Sequence, residues 1–203
     1  GGSVHLNNIF KSQQIFSYHY INGSFEHHQH QIQSNFTSGK NKTYIKAFTL
    51  NSLNNFPFKH QNEEFIQHHA RIQNKGYLIG NQFNIHPKQT IEIHLWHQYS
   101  SNEIPPTISQ IQSKAEQNDH ILRCNAQWKY VEKNKHFVIR AGYFNESEDK
   151  GARKFLALGA GFKANVVNID LSYLFSASKV RNPLKNTLRF SLTFAFRDDY
   201  YEY

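Results

Sequence analysis

The stretch NTLRFSLTFAF, residues 186–196, alternates apolar and polar side chains without a break. The apolar positions are Leu188, Phe190, Leu192, Phe194 and Phe196. The polar or small positions between them are Arg189, Ser191, Thr193 and Ala195. A period of two predicts a β-strand whose two faces meet different surroundings. Taken alone, it favours a half-buried strand in a soluble antiparallel sheet, with a membrane-barrel strand that turns its apolar side chains toward lipid as the alternative. The rest of the chain favours the barrel.

Composition allows a single domain of 203 residues and predicts a β-rich one. The chain holds 17 Phe and 11 Tyr, residues that favour strands and membrane interfaces. The sequence contains no run of about 18 apolar residues, so we predict no transmembrane helix. The mean hydropathy of −0.68 still permits a barrel, because half of each barrel strand faces a polar interior.

The charge, the single cysteine and the N-terminal residues limit the classes of protein to which this chain can belong. The net charge of +8 is scattered singly and accompanies no nucleic-acid-binding motif, so we expect a solvated basic surface and no nucleic-acid partner. The single Cys124 excludes an internal disulfide and argues against a cysteine-ligated zinc site. Because the chain begins Gly1-Gly2-Ser3 and contains no Met, we expect a processed chain, a fragment or a chimera.

Alternating segments recur along the whole chain. With 186–196 they predict about ten strands, the others being 14–21, 25–37, 43–50, 76–85, 90–100, 120–130, 136–144, 155–162 and 165–175. Residues 3–6 predict a further short strand, and Asn22-Gly23-Ser24 predicts a tight turn. No segment shows a helical period. The fold class is therefore all-β.

The connections sort by length. Long connections follow the third, fifth, seventh and ninth predicted strands, at 51–74, 101–119, 145–154 and 176–185, whereas the even-numbered strands are followed by short turns. This is the asymmetry of an outer-membrane barrel, with extracellular loops and periplasmic turns. We therefore predict an antiparallel transmembrane β-barrel, complete or partial, with both termini on the periplasmic side.

One predicted strand does not fit lipid. Residues 25–37 carry His and Gln on both faces, including His27, His28 and His30. Hydrocarbon offers these side chains no hydrogen-bond partner. This predicts that the segment lies outside the membrane or that the barrel is incomplete.

The sequence nominates no catalytic, cofactor-binding or metal-binding residues. The 13 His residues show no ligand spacing, and His94 and His97 should point to opposite faces of a strand. The carboxylates at 146–149 and Asp198-Asp199 are expected to be solvated, without a base or metal partner. Gly159 and Gly161 are expected to relieve crowding on the interior face or to allow the strand to bend. We expect no enzyme activity and no cofactor.

Residues 1 to about 140 resemble the first barrel strands of TonB-dependent outer-membrane receptors. The similarity lies in residues 1–6 (GGSVHL), 55–59 (NFPFK) and 96–106 (WHQYSSNEIPP), followed by Leu122-Arg123 and Trp128. It implies uptake of a cobalamin- or siderophore-like ligand, taken up at the loops 51–74 and 101–119. Residues for a plug domain and a TonB box, which such receptors contain, are not seen in this sequence.

Residues from about 138 to 196 resemble the C-terminal strands of the PorV family of type IX secretion. The similarity lies in 140–144 (RAGYF), 158–163 (LGAGFK), 170–174 (DLSYL) and 182–192 (NPLKNTLRFSL), and 197–203 form a polar tail. It implies binding to secretion-system proteins and to the C-terminal signal domains of their cargo. Both resemblances imply the outer membrane of a Gram-negative bacterium and its lipid as a partner.

A function of another class stays open, that of a soluble all-β binding module such as a sugar-binding sandwich. It predicts a chain that is folded without detergent, with Leu188, Phe190 and Leu192 buried against a second sheet.

Overall fold

The computed structural model describes residues 16–105, 115–148, 151–178 and 186–194, and this part of the chain is all-β. Its strands are β1 (Phe16–Gly23), β2 (His27–Ser38), β3 (Asn41–Ser52), β4 (Pro57–His60), β5 (Glu63–Ile66), β6 (Ile72–His86), β7 (Gln89–Ile104), β8 (Ala115–Glu132), β9 (Lys135–Glu146), β10 (Lys154–Ala164), β11 (Val167–Ser176) and β12 (Thr187–Phe194). Ten strands form one antiparallel sheet in the order β1-β2-β3-β6-β7-β8-β9-β10-β11-β12, and β4 and β5 form a separate hairpin. The prediction of ten antiparallel strands is confirmed.

Four two-residue turns lie along one edge of the sheet, which we call the turn edge: 39–40, 87–88, 133–134 and 165–166. Gly39, Lys133 and Asn165 adopt the positive φ that tight hairpins require, at 57°, 50° and 50°. Neighbouring turns are joined, since Val131 N donates to Lys88 O at 2.8 Å. Beside them, Lys88 Nζ lies 2.5 Å from Glu132 Oε1, which lowers the pKa of Glu132 and raises that of Lys88. The short predicted turns are thus confirmed.

The opposite edge, the loop edge, differs from prediction in several places. The first turn is Ser24-Phe25-Glu26 instead of Asn22-Gly23-Ser24, because Phe25 and Glu26 adopt φ values of 59° and 54° and Gly23 pairs with His27. The predicted loop 51–74 contains the hairpin β4–β5. The predicted loop 101–119 is mostly strand, since β7 runs to Ile104 and β8 begins at Ala115. Polar side chains support these extensions: Tyr99 donates to Asn118 Oδ1 at 2.8 Å.

Several expectations fall outside the described residues. They are the strand at 3–6, the carboxylates Asp198 and Asp199, and the tail 197–203.

Alternate residues of the ten strands form an apolar face and a polar face. Large side chains of the apolar face are Tyr18, Ile32, Ile45, Tyr77, Ile93, Trp128, Ile139, Leu158, Leu171 and Phe190. The polar face carries Gln33, Lys46, Glu92, His94, Asn125, Arg140, Asp170 and Arg189. The polar face also includes some apolar side chains. These are Tyr44, Phe48 and Leu50, which alternate along β3 in phase with Lys46.

The apolar face is the exposed one. Leu188, Phe190 and Leu192 are 62%, 65% and 47% exposed, whereas His94, Asp119 and Glu146 on the polar face are 7%, 2% and 4% exposed. Among the described residues, extensive contacts join only strands adjacent in a sheet, so no second layer covers either face. A single sheet can shield one face only by curvature. The sheet therefore curls around its polar face.

The strands are staggered along the sheet. The row of paired residues that starts at Thr187 runs through Leu174, Ala157, Gly142, Asn125, His94, Gly80, Tyr44 and Asn35. The first residue of β1, Phe16, pairs with Ser34 of β2, which is the residue before Asn35. The row therefore passes just outside the described part of β1. β1 thus lies on the loop-edge side of this row and β12 on its turn-edge side. The described parts of β1 and β12 do not pair, and the sheet is not closed there.

The polar strand β2 lies within this sheet, and its histidines on the apolar face have partners. A hydrogen bond of 2.8 Å joins Tyr18 Oη to His30 Nδ1, and one of 3.0 Å joins Tyr20 Oη to His28 Nδ1. The Nδ1 atoms of these two histidines are thus paired across the strands β1 and β2.

We expect Gly76→Ala to lower the free energy of unfolding by about 1–3 kcal/mol, because an added Cβ would lie 2.5 Å from His97 O and 2.9 Å from Phe48 Cζ. Gly23→Ala is the matched control, since its Cβ would meet nothing nearer than 3.4 Å. Urea unfolding followed by tryptophan fluorescence measures both. Equal stability of the two variants would contradict the close packing at Gly76.

Candidate functional site

A cavity of about 400 Å³ opens over strands β7 to β11. Its polar side chains are Glu92, His94, Asn125, Gln127, Arg140, Asp170 and Ser172. Gly142, Ala157 and Gly159 line it with little or no side chain. The space exists because three small residues stand where neighbouring positions of the polar face carry long side chains.

An ion pair stands at one side of this cavity. Arg140 Nη1 donates to Asp170 Oδ1 at 2.7 Å, and Asn168 Nδ2 donates to Asp170 Oδ2 at 2.7 Å. A Cβ at Gly161 would lie 2.5 Å from Asp170 Oδ1 and 3.2 Å from Arg140 Nη1. Gly161 therefore has the role expected from the sequence, that of making room on the polar face.

Glu92 stands at the other side of the cavity. Gln127 Nε2 donates to Glu92 Oε2 at 2.5 Å, and His94 Nε2 lies 3.8 Å from the same oxygen. His97 lies on the apolar face, with its ring centroid 5.4 Å from that of Tyr77. The prediction that His94 and His97 point to opposite faces is confirmed. Among the residues that the structure describes, no three metal-ligating side chains are grouped to hold an ion.

Buried carboxylates lie near the loop edge. The guanidinium of Arg153 binds Glu146 through two hydrogen bonds of 2.6 Å and 2.8 Å. Asp119 accepts a hydrogen bond of 2.9 Å from Ser147 Oγ. The expectation of a solvated, unpartnered Glu146 is wrong, because Glu146 is the last residue of β9 and points to the shielded polar face.

One arginine of the polar face is held by rings. The guanidinium carbon of Arg123 lies 4.5 Å from the ring centroid of Trp96 and 5.3 Å from that of Phe144. Such contacts stabilise a cation without neutralising its charge.

Sequence reasoning missed the pairs Arg140–Asp170 and Glu92–Gln127. Glu92 and Gln127 are directly opposite each other on the adjacent strands β7 and β8, whereas Arg140 on β9 reaches Asp170 on β11 across the glycines of β10. These relations become readable only after the register is known. Chemically, the cavity offers guanidinium, amide, hydroxyl and carboxylate groups that hydrogen-bond water or a polar solute.

Comparison with known protein families, with curated proteins and with solved structures finds no match to this chain. Within the described ranges, no helix is long and apolar enough to cross a membrane. The geometry of the sheet therefore carries the functional argument.

We expect Arg153→Gln to lower the free energy of unfolding by about 1–3 kcal/mol, because it leaves the Glu146 carboxylate shielded and unpaired. This expected loss of stability is small for a buried ion pair because the Arg153 side chain is 47% exposed. Lys154→Gln, which removes a neighbouring charge on the apolar face, should change stability by less than about 0.5 kcal/mol. Equal urea midpoints for the two variants would show that the Glu146–Arg153 pair does not stabilise the loop edge.

Proposed function

We propose that this chain is a non-enzymatic β-barrel protein of the Gram-negative outer membrane, with its apolar face against lipid and its polar face inside. The observation that carries the proposal is the inverted polarity of the sheet. Soluble proteins shield apolar side chains, whereas here Phe190 and Leu188 are exposed and the carboxylates Asp119 and Glu146 of the polar face are buried. A lipid-facing strand requires this arrangement.

Two bands of aromatic residues on the apolar face support the proposal. The band toward the loop edge contains Tyr18, Tyr20, Tyr77, Tyr99, Tyr143 and Tyr173. The band toward the turn edge contains Phe36, Phe83, Trp128, Tyr130, Phe137, Phe162 and Phe194. Tyr77 and Phe83, like Phe137 and Tyr143, are six residues apart, or roughly 20 Å along a strand. Outer-membrane barrels carry such aromatic girdles about 25 Å apart.

The stagger of the strands is a second support. Strands of a barrel are tilted to its axis, so a row of paired residues climbs from one strand to the next. In the proposed barrel β1 pairs with β12, and the offset between them supplies this tilt. Pairing also removes two open edges whose backbone groups would otherwise lack partners in lipid.

The soluble module has less support. It needs a second layer over Leu156, Leu171 and Phe190, and these residues are 42%, 46% and 65% exposed.

We expect Phe190→Lys to impair insertion into lipid vesicles by about 2–4 kcal/mol, because it places a charge on the lipid face. Ser191→Lys is the matched control, since the next residue of β12 belongs to the polar face and should tolerate the charge. Heat-modifiable gel mobility and protease protection in vesicles measure insertion. A chain that is monodisperse without detergent, with both variants behaving alike, would refute the membrane proposal.

The two resemblances give the barrel two candidate roles. In the receptor-like role, the residues of the loop edge take up a corrinoid or siderophore. In the PorV-like role, the barrel binds secretion-system proteins and cargo signal domains. We expect one of two assays to succeed with the reconstituted chain: equilibrium binding of a corrinoid or siderophore, or a pull-down of purified secretion components. Failure of both assays would reject both roles and leave the barrel proposal to the insertion test.

A further inference from the structure

The polar face carries more cations than anions. Its lysines and arginines are Lys42, Lys46, Arg123, Lys129, Arg140, Lys163 and Arg189. Its carboxylates are Glu92, Asp119, Glu146 and Asp170. The described part of this face therefore has an excess of three positive charges, seven against four, before histidines are considered.

Each carboxylate already has a partner in the protein. Asp170 is held by Arg140 and Asn168, and Glu92 by Gln127. Near the loop edge, Glu146 is bound by Arg153, which comes from the following loop, and Asp119 accepts from Ser147. Their negative charge is thus compensated or hydrogen-bonded locally.

In the part of the chain that the structure describes, five other cations of the face lie outside such ion pairs. Within the described residues, no carboxylate forms an ion pair with Lys42, Lys46, Lys129, Lys163 or Arg189. They are spread over β3, β8, β10 and β12. Lys42 and Arg189 belong to one row, which runs through Gln82, Glu92, Gln127, Arg140, Gly159 and Ser172. In a closed sheet these cations would surround the interior.

We infer that the interior of the proposed barrel attracts small anionic solutes, bearing phosphate or carboxylate groups, through this uncompensated positive charge. The inference rests on the proposed function, because it concerns the solutes that the enclosed polar face admits. Cations lining a narrow, low-dielectric wall raise the local anion concentration, as basic rings do in anion pores. The cavity beside Ser172 lies on the row that joins Lys42 to Arg189. It is therefore exposed to the positive electrostatic potential of these cations.

Collisional quenching measures the potential directly. The full chain carrying Cys124→Ala and Ser172→Cys is labelled with a small uncharged fluorophore in a non-ionic detergent. Iodide, caesium and neutral acrylamide are then compared as quenchers at low ionic strength. We expect the iodide-to-caesium ratio of quenching constants to exceed that of the free fluorophore by about threefold or more, since potentials of more than one kT are common in such clefts.

Charge variants separate this effect from mere access. The triple variant Lys129→Gln, Lys163→Gln and Arg189→Gln should bring the iodide-to-caesium ratio to that of the free fluorophore, with acrylamide quenching unchanged. Lys129→Gln alone should lower the ratio by a smaller factor, in case the triple variant folds poorly. Lys75→Gln is the matched control, because it removes the same charge from the apolar face and should leave the ratio unchanged.

A ratio equal to or below that of the free fluorophore, or one that the polar-face substitutions do not lower, would overturn the inference. The measurement is made in detergent and requires no insertion into vesicles. Its failure is therefore distinguishable from failure of the membrane proposal, which the comparison of Phe190→Lys with Ser191→Lys decides.

Discussion

The curvature of one sheet around its own charged face is the constraint on which this structure depends. In the described part of the chain no second layer covers the sheet, so its curvature, together with side chains such as Arg153 and Ser147, shields Glu146, Asp119 and His94 from solvent. Shielded charges require partners, and the face supplies them from neighbouring strands and from the loop after β9. Small residues at Gly142, Gly159 and Gly161 leave room for these partners and for the cavity between them.

The two faces place opposite demands on the same backbone. The polar face selects hydrogen-bonded pairs such as Arg140 with Asp170, whereas the apolar face selects aliphatic side chains between two sets of aromatic ones. The histidines of β2 on the apolar face depart from this division, and they are hydrogen-bonded to tyrosines of β1. The membrane proposal and the anion inference are two consequences of this division, one for each face.

The sequence predicts the strands well where one side of the alternation is uniformly apolar, as in β10, β11 and β12. It fails where that contrast ends. The polar ends of β7 and β8 look like loop because Ser101, Asn118 and Glu116 carry no apolar signal, yet their backbones continue the ladder. The Asn22-Gly23 signal is misleading because Phe25 and Glu26 take up the left-handed conformation instead. The pairs that shape the cavity could not be predicted, because a pair across strands depends on register, and no single strand encodes its register.

The turn edge has a consequence for how such a chain can vary. Two-residue hairpins and the hydrogen bonds between adjacent hairpins fix the alignment of the strands at this edge with very few residues. The connections at the other end are longer, and one of them already accommodates the additional hairpin β4–β5. Segments there can be lengthened, shortened or exchanged while the alignment of the sheet persists, so new recognition surfaces can arise on an unchanged frame.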